Sequence, residues 1–125
     1  MRRVASNDQK ALTPLEVVLQ LHGEFRRSLE SIRVTSLQAG VLLFLRRQAE
    51  AKIMDAAAAL CVRPPTSTDV VKGLVRKRWV TKRRSVTDTR VVQLRLSRQG
   101  QAVTQKIEQR VCQLNVELID QSEKP

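Results

Sequence analysis

The stretch from Val62 to Gly100, VRPPTSTDVVKGLVRKRWVTKRRSVTDTRVVQLRLSRQG, constrains this chain more than any other. Pro64-Pro65 ends a helix running into it and begins the next, because proline is tolerated in a helix only in the first turn. From Thr66 to about Arg78 the apolar residues Val70, Val71, Leu74 and Val75 share one face. Thr66, Thr68, Asp69, Lys72, Arg76 and Lys77 share the opposite face, which is the pattern of a surface helix. Residues 79–84 and 90–96 are rich in β-branched side chains with partial alternation, so they are expected to pair as a hairpin. The loop between them, Ser85-Val86-Thr87-Asp88-Thr89, contains no glycine. Ser97 then offers a hydroxyl to cap a following helix.

The flanks are helical by the same criteria. Thr13, Pro14 and Glu16 stand as N-cap, first helical residue and capping-box partner. Behind them Leu15, Val18, Leu19, His22, Phe25, Leu29 and Ile32 recur at three- and four-residue steps, a stripe about five turns long. That stripe exceeds what a small domain needs for its own core, and part of it is expected to be a subunit interface. Thr35 and Gln38 suggest a second capping box opening a helix over about 36–49, with Gly40 weakening it by about 1 kcal/mol unless close packing requires it. A short helix over about 51–60 carries four consecutive alanines, which favour helix and also let a neighbour approach closely. After Ser97, Val103, Ile107, Val111, Leu114 and Leu118 form another long stripe over about 98–120. Residues 1–13 are polar, mixed and expected to fray. The order α-α-α-α-β-β-α is mainly α with a small β-hairpin wing, a winged helix-turn-helix.

Charge singles out the same stretch. The net charge is +11, and residues 63–98 carry eleven Lys/Arg against two Asp/Glu, so they hold +9 of it. A basic run can be no more than a solvated face. One this dense, beside a helix and a hairpin, favours a polyanion. Tyr is absent and there are one Trp and two Phe, which leaves little aromatic surface for stacking single-stranded bases. No apolar run approaches a membrane span, and MRRVASNDQK lacks the apolar stretch of a signal peptide. A cytoplasmic, nucleoid-associated protein with no membrane contact is expected.

Chemistry of other kinds finds no residues to carry it. The single His22 has no Cys, Asp or second His at ligand spacing, so a packed or partly exposed side chain is expected rather than a metal ligand. There is no paired-carboxylate constellation, no Gly-rich phosphate loop, and no Ser or Cys with a base partner. The chain is not expected to be an enzyme or to need a cofactor or metal. Cys61 and Cys112 are too few and too poorly spaced for a disulfide framework. Cys61 has two readings: a thiolate-prone redox site beside Arg63 and the following helix start, or a thiol buried between Leu60 and Val62.

The elements over about residues 35–100 resemble the MarR family of winged-helix transcriptional regulators. The resemblance rests on Leu60 and Val62 before the turn, Leu74 late in the helix, Trp79-Val80 entering the hairpin, Asp88-x-Arg90 in the wing and Leu96-Ser97-x-x-Gly100 after it. It implies a homodimer on a pseudo-palindromic DNA, with one helix of each subunit in a major groove, each wing along the adjacent minor groove, and terminal helices interlocked. On that reading residues 1–125 form one winged-helix DNA-binding domain, and 13–34 with 98–120 supply the dimer interface. Three departures stand out. Arg78 occupies a position where the family usually has Gly, so a different turn is expected there. Asp69 occupies a position usually basic or neutral; facing phosphate it would repel, and facing a base edge it could accept from cytosine N4. Only 28 residues follow Ser97, so a smaller dimer interface is expected. Many relatives bind small aromatic acids; here the scarcity of aromatic residues gives such an effector no positive support, while Arg26, Arg27 and Arg33 could accept an anion, as exposed arginines do by default, so the sequence leaves an effector open.

The basic stretch divides by task. Arg63, Lys82, Arg83 and Arg84 are expected to neutralise phosphates of double-stranded DNA, giving affinity and salt dependence. Thr66, Ser67, Thr68 and Lys72 are expected to reach base edges or flanking phosphates. Arg90 is expected in the minor groove, where narrow A·T-rich segments concentrate negative potential. Asp88 either orients Arg90 by a charge-assisted hydrogen bond or shapes the turn by bonding its own backbone. The alternatives to a sequence-specific DNA-binding regulator are a winged-helix protein-interaction module meeting an acidic partner and a nonspecific nucleic-acid-binding protein.

Overall fold

Thr13 and Glu16 form the reciprocal lock that their spacing predicts. The Glu16 amide donates to Thr13 Oγ1 at 3.3 Å, and the Thr13 amide donates to Glu16 Oε1 at 3.1 Å. The backbone bond from Thr13, and then the bond from its hydroxyl, hold the Glu16 carboxyl below its usual range. The computed structural model describes residues 13–123, with side chains as far as Glu117; the expected frayed end before Thr13 lies outside the described residues. Helix α1 runs Pro14–Leu29. It is shorter than its apolar stripe, because Glu30–Ile32 tightens into a 3₁₀ turn and Arg33 enters the left-handed region at φ 56°.

Contacts group the chain into two compact units, Leu37–Glu108 and the segments on either side of it. In the flanking unit Leu29, Val34 and Leu114 are buried, and Arg110 Nη1 donates to the Ser28 carbonyl at 3.0 Å. His22 is exposed.

The other unit holds the helix-turn-helix and the wing. Its elements are most of α2 (Ser36–Gln48), β1 (Glu50–Lys52), α3 (Ile53–Ala59), α4 (Pro64–Arg76), β2 (Val80–Arg84), β3 (Val92–Leu96) and the start of α5 (Arg98–Glu123). Leu42, Leu45, Leu74 and Leu94 are fully buried, each stabilising the fold by roughly 2 kcal/mol. Gly40 lies close under Leu60: a Cβ there would stand 3.0 Å from Leu60 Cδ2, so that side chain would have to give by a few tenths of an ångström. Helix α3 packs against α4, as the first helix of a helix-turn-helix must.

Strand β1 is an addition to the expected element order. Glu50-Ala51-Lys52 has no β-branched residue, and Ala51 and Lys52 fall within the helix expected over about 51–60. The segment is a strand because β3 pairs with it, Glu50 against Arg95 and Ala51 against Leu94. The Asp55 Oδ2 then accepts from the Lys52 amide at 3.3 Å, which starts α3 two residues later than its composition suggests. The antiparallel sheet has the order β1-β3-β2, so β3 is central and β2 is an edge.

Both ends of the helix-turn-helix close in the left-handed conformation without glycine. At α3 the Cys61 amide donates to the Ala58 carbonyl at 3.2 Å and the Val62 amide to the Ala57 carbonyl at 3.0 Å, with Cys61 at φ 55°. At α4 the Arg78 amide donates to the Val75 carbonyl at 2.9 Å and the Trp79 amide to the Leu74 carbonyl at 3.1 Å, with Arg78 at φ 63°. Each is a Schellman closure, a motif that usually places Gly at the left-handed residue. The different turn expected at Arg78 is therefore not what occurs: Arg78 takes the glycine-like conformation itself.

Candidate nucleic-acid interface

Helix α4 presents its polar face to solvent with a three- and four-residue step: Thr66, Asp69, Lys72 and Arg76 are exposed, and Val71 and Leu74 are buried beneath them. Pro64 and Pro65 start the helix, so its first turn offers few backbone donors and the side chains must do the contacting. The four sequence candidates on this helix fare differently. Thr66 and Lys72 are exposed. Thr68 is half-buried, and its hydroxyl donates to the Pro64 carbonyl at 3.0 Å, which leaves it only as an acceptor.

Ser67 is a correction. It is 1% exposed, four residues before Val71 and seven before Leu74, on the core face of the helix. Its hydroxyl faces the interior and cannot reach a duplex. Two residues on the exposed face, Asp69 and Arg76, complete the polar surface beside Thr66 and Lys72; periodicity had already put them on that side.

The end of α4 is fastened to the start of α5. Ser97 Oγ donates to the Arg78 carbonyl at 2.6 Å and accepts from the Gly100 amide at 3.0 Å, while the Ser97 amide donates to the Trp79 carbonyl at 3.0 Å. Gly100 lies directly against the same carbonyl, and a Cβ there would collide with the Trp79 backbone. This is the physical content of Ser97-x-x-Gly100: a hydroxyl and a missing side chain that set where α4 ends. Lys77 is engaged as well, although it stays exposed. Its Nζ donates to Gln38 Oε1 at 3.1 Å and stands 4.6 Å from the Trp79 ring centre.

The wing is ordered by its own polar side chains. Strand residues Val80 to Arg84 pair with Leu96 to Val92, and the Ser85 amide donates to the Val91 carbonyl at 2.9 Å. Arg90 and Val91, expected in the second strand, lie in the loop. The Ser85 hydroxyl accepts from the amides of Thr87 and Asp88 at 3.3 and 3.4 Å. Arg84 Nη1 donates to the Thr89 carbonyl at 2.8 Å, so Arg84 braces the loop with one of its donors.

Asp88 does both of the things its position allows. Its Oδ1 accepts from the Arg90 amide at 3.0 Å and from Arg90 Nε at 3.2 Å. The Arg90 side chain is still 90% exposed, so it is oriented but not consumed. The bonds from the Arg90 side chain and then its backbone hold the Asp88 carboxyl below its usual range, with the charge of Lys52 adding to them. Lys82 and Arg83 are exposed on the edge strand and, being adjacent, project to opposite faces of it. Arg63 is exposed just before α4. Arg95 forms a solvent-exposed ion pair across the sheet with Glu50 at 3.6 Å. Cys61 is an exposed free thiol, so the buried reading of it does not hold.

A family model described as transcriptional regulator SarA/Rot matches residues 25–107, a span that contains α2 to β3, the basic stretch and the Ser97–Gly100 fastening. The chain belongs to the SarA/Rot family of transcriptional regulators. It is a regulator and not an enzyme, and its winged helix-turn-helix is MarR-like. Apo MarR from E. coli superposes with a TM-score of 0.77 at 22% identity, over 92% of this chain and 88% of that one. S. aureus MepR in its DNA-binding conformation gives 0.74 at 21%, over 84% and 78%. An E. coli MarR mutant complexed with operator DNA gives 0.68 at 24%, over 78% and 74%. At these identities the likeness is one of fold. No curated protein matches the sequence. In this SarA/Rot-family chain no helix among the described residues is long and apolar enough to cross a membrane. Nor do those residues contain a group of three or more His, Cys, Asp or Glu placed to hold a metal ion.

Proposed function

We propose that this protein is a sequence-specific, double-stranded-DNA-binding transcriptional regulator acting in the cytoplasm on the nucleoid. The observation that carries the reading is the pairing of two exposed elements in one unit: the polar face of α4 and a wing whose Arg90 is held outward by Asp88. Helix α4 enters the major groove with Thr66 and Lys72 at base edges. Arg90 enters the minor groove. Arg63, Lys82, Arg83 and the free donors of Arg84 neutralise phosphates.

A homodimer belongs to the proposal. Leu15, Val18 and Leu19 stand 66%, 60% and 60% exposed on α1, an apolar face of the kind that marks an interface. Residues 13–34 and 98–120 are the segments proposed to meet their counterparts, which makes the operator two-fold symmetric. MarR complexed with operator DNA and MepR in its DNA-binding conformation share this fold, which supports the reading.

Selection of bound duplexes from a random pool tests it. The expected result is a palindromic motif with half-sites about one helical turn apart. Retention of every duplex alike would show a nonspecific binder, and retention of none at physiological salt would point to a protein partner. Repeating the binding after peroxide treatment tests Cys61: lost binding makes it a redox site, and unchanged binding removes it.

A further inference from the structure

Resting on the DNA-binding reading above, we propose that Asp69 is a specificity-determining residue that reads cytosine in each half-site through its exocyclic N4 amine. Asp69 is exposed on the α4 face that carries Thr66 three residues before it and Lys72 three residues after it. Among the described residues none donates a hydrogen bond to its carboxylate or forms an ion pair with it, although Lys72 lies three residues on, at a spacing that allows pairing. Neither of the usual structural uses of an acid on a helix explains it. It is the sixth residue of α4, beyond the first turn in which the helix dipole rewards negative charge. It also caps nothing, since the helix starts on Arg63, Pro64 and Pro65.

A carboxylate placed against DNA has few tolerable destinations. Close to a phosphate it is repelled by a like charge, and more strongly at the lowered effective dielectric of an interface than in bulk water. The same charge over a base edge depends on which edge. Guanine presents N7 and O6, and thymine O4, all acceptors that repel an acceptor-only group. Adenine sets its N6 donor beside the N7 acceptor, a pattern that suits Asn or Gln. Cytosine alone presents a donor without an adjoining acceptor in the major groove. An unpartnered Asp on the groove face, in the midst of cations that bring the helix to DNA, therefore selects cytosine: it accepts from cytosine, is repelled by guanine and thymine, and meets a repelling N7 beside the donor of adenine.

The experiment compares motifs selected from a random duplex pool by the wild-type protein, Asp69→Asn and Asp69→Ala, with circular dichroism confirming that each variant is folded. The wild type is expected to enrich cytosine at one fixed column of each half-site. Asp69→Asn is expected to move that column to adenine, and Asp69→Ala to flatten it, with the other columns kept. In direct titrations the wild type should lose about tenfold or more when that cytosine is replaced, and Asp69→Ala should not. A wild-type motif that Asp69→Ala leaves unchanged overturns this inference and leaves the DNA-binding reading intact. A uniform gain in affinity by Asp69→Ala for all duplexes overturns it also, since Asp69 would then only repel phosphate. No enriched motif with the wild type overturns both.

Discussion

At the scale of single residues, the chain turns through the left-handed region without using glycine. Arg33, Ala49, Cys61 and Arg78 all adopt positive φ, and no glycine does. A left-handed L-residue costs roughly 1–2 kcal/mol, partly offset because glycine loses more entropy on folding. Arg78→Gly is therefore expected to stabilise the protein by about 0.5–1 kcal/mol, read as a higher urea midpoint with unchanged slope. No change would mean that Arg78 is not strained. A second residue-level expectation concerns Arg90 and Asp88. Arg90→Ala is expected to weaken duplex binding at least tenfold while leaving the melting temperature within about a degree, because the side chain is 90% exposed. Asp88, with its folded-state pKa depressed, contributes order to the wing that is present above the unfolded-state pKa of about 3.9 and lost as pH falls through the lower folded value. An NMR titration should show the Asp88 carboxyl with its midpoint below 3.9, and the Arg90 amide shifting with the same midpoint. A midpoint at or above 3.9 would contradict the Asp88–Arg90 pairing.

At the scale of elements, much of the fold was legible because its signals are local. Thr13-Pro14 and Glu16 announced the start of α1, Pro64-Pro65 the start of α4, and Ser97 the start of α5, each through a backbone donor that a nearby side chain satisfies or a proline removes. Strand β1 was not legible, because Glu50-Ala51-Lys52 becomes extended only by pairing with β3 more than forty residues later. The burial of Ser67 was hidden for a related reason. A hydroxyl in a Pro-Pro-Thr-Ser-Thr helix start looks like a surface group, and only the phase of α4 against Val71 and Leu74 turns it inward. Exposure of Asp69 and Arg76 could be read from the periodicity, but the use of Lys77 by Gln38 and Trp79 could not. The Ser97–Gly100 fastening carries the element-level prediction. Gly100→Ala drives a methyl into the Trp79 backbone and should destabilise by about 1–3 kcal/mol, the usual overpacking range. Thermal unfolding measures it, and a neutral result would mean that the end of α4 is free to move away from α5.

At the scale of the whole molecule, charge and assembly decide how the winged unit is used. Most of the net +11 lies between residues 63 and 98, yet Arg95 is paired with Glu50 and Lys77 is engaged by Gln38 and Trp79. Arg63, Lys72, Lys82, Arg83 and Arg90 remain exposed for phosphates and grooves. The apolar face of α1 sets the second expectation at this scale. Leu19→Glu should convert a dimer into a monomer in sedimentation equilibrium and lower affinity for a palindrome far more than for a half-site. A mutant that sediments as the wild type does would remove Leu19 from the interface. The central claim, that α4 and the wing bind a specific duplex, is tested most directly by fluorescence anisotropy on a selected palindrome across a salt series, with random duplex as competitor. The account predicts a preference of at least about 10³-fold for the selected site, and a log–log salt slope of about −3.6 per subunit, about −0.9 for each of the four phosphates neutralised by Arg63, Lys82, Arg83 and Arg84. Equal affinity for both duplexes, or a slope close to zero, would contradict it.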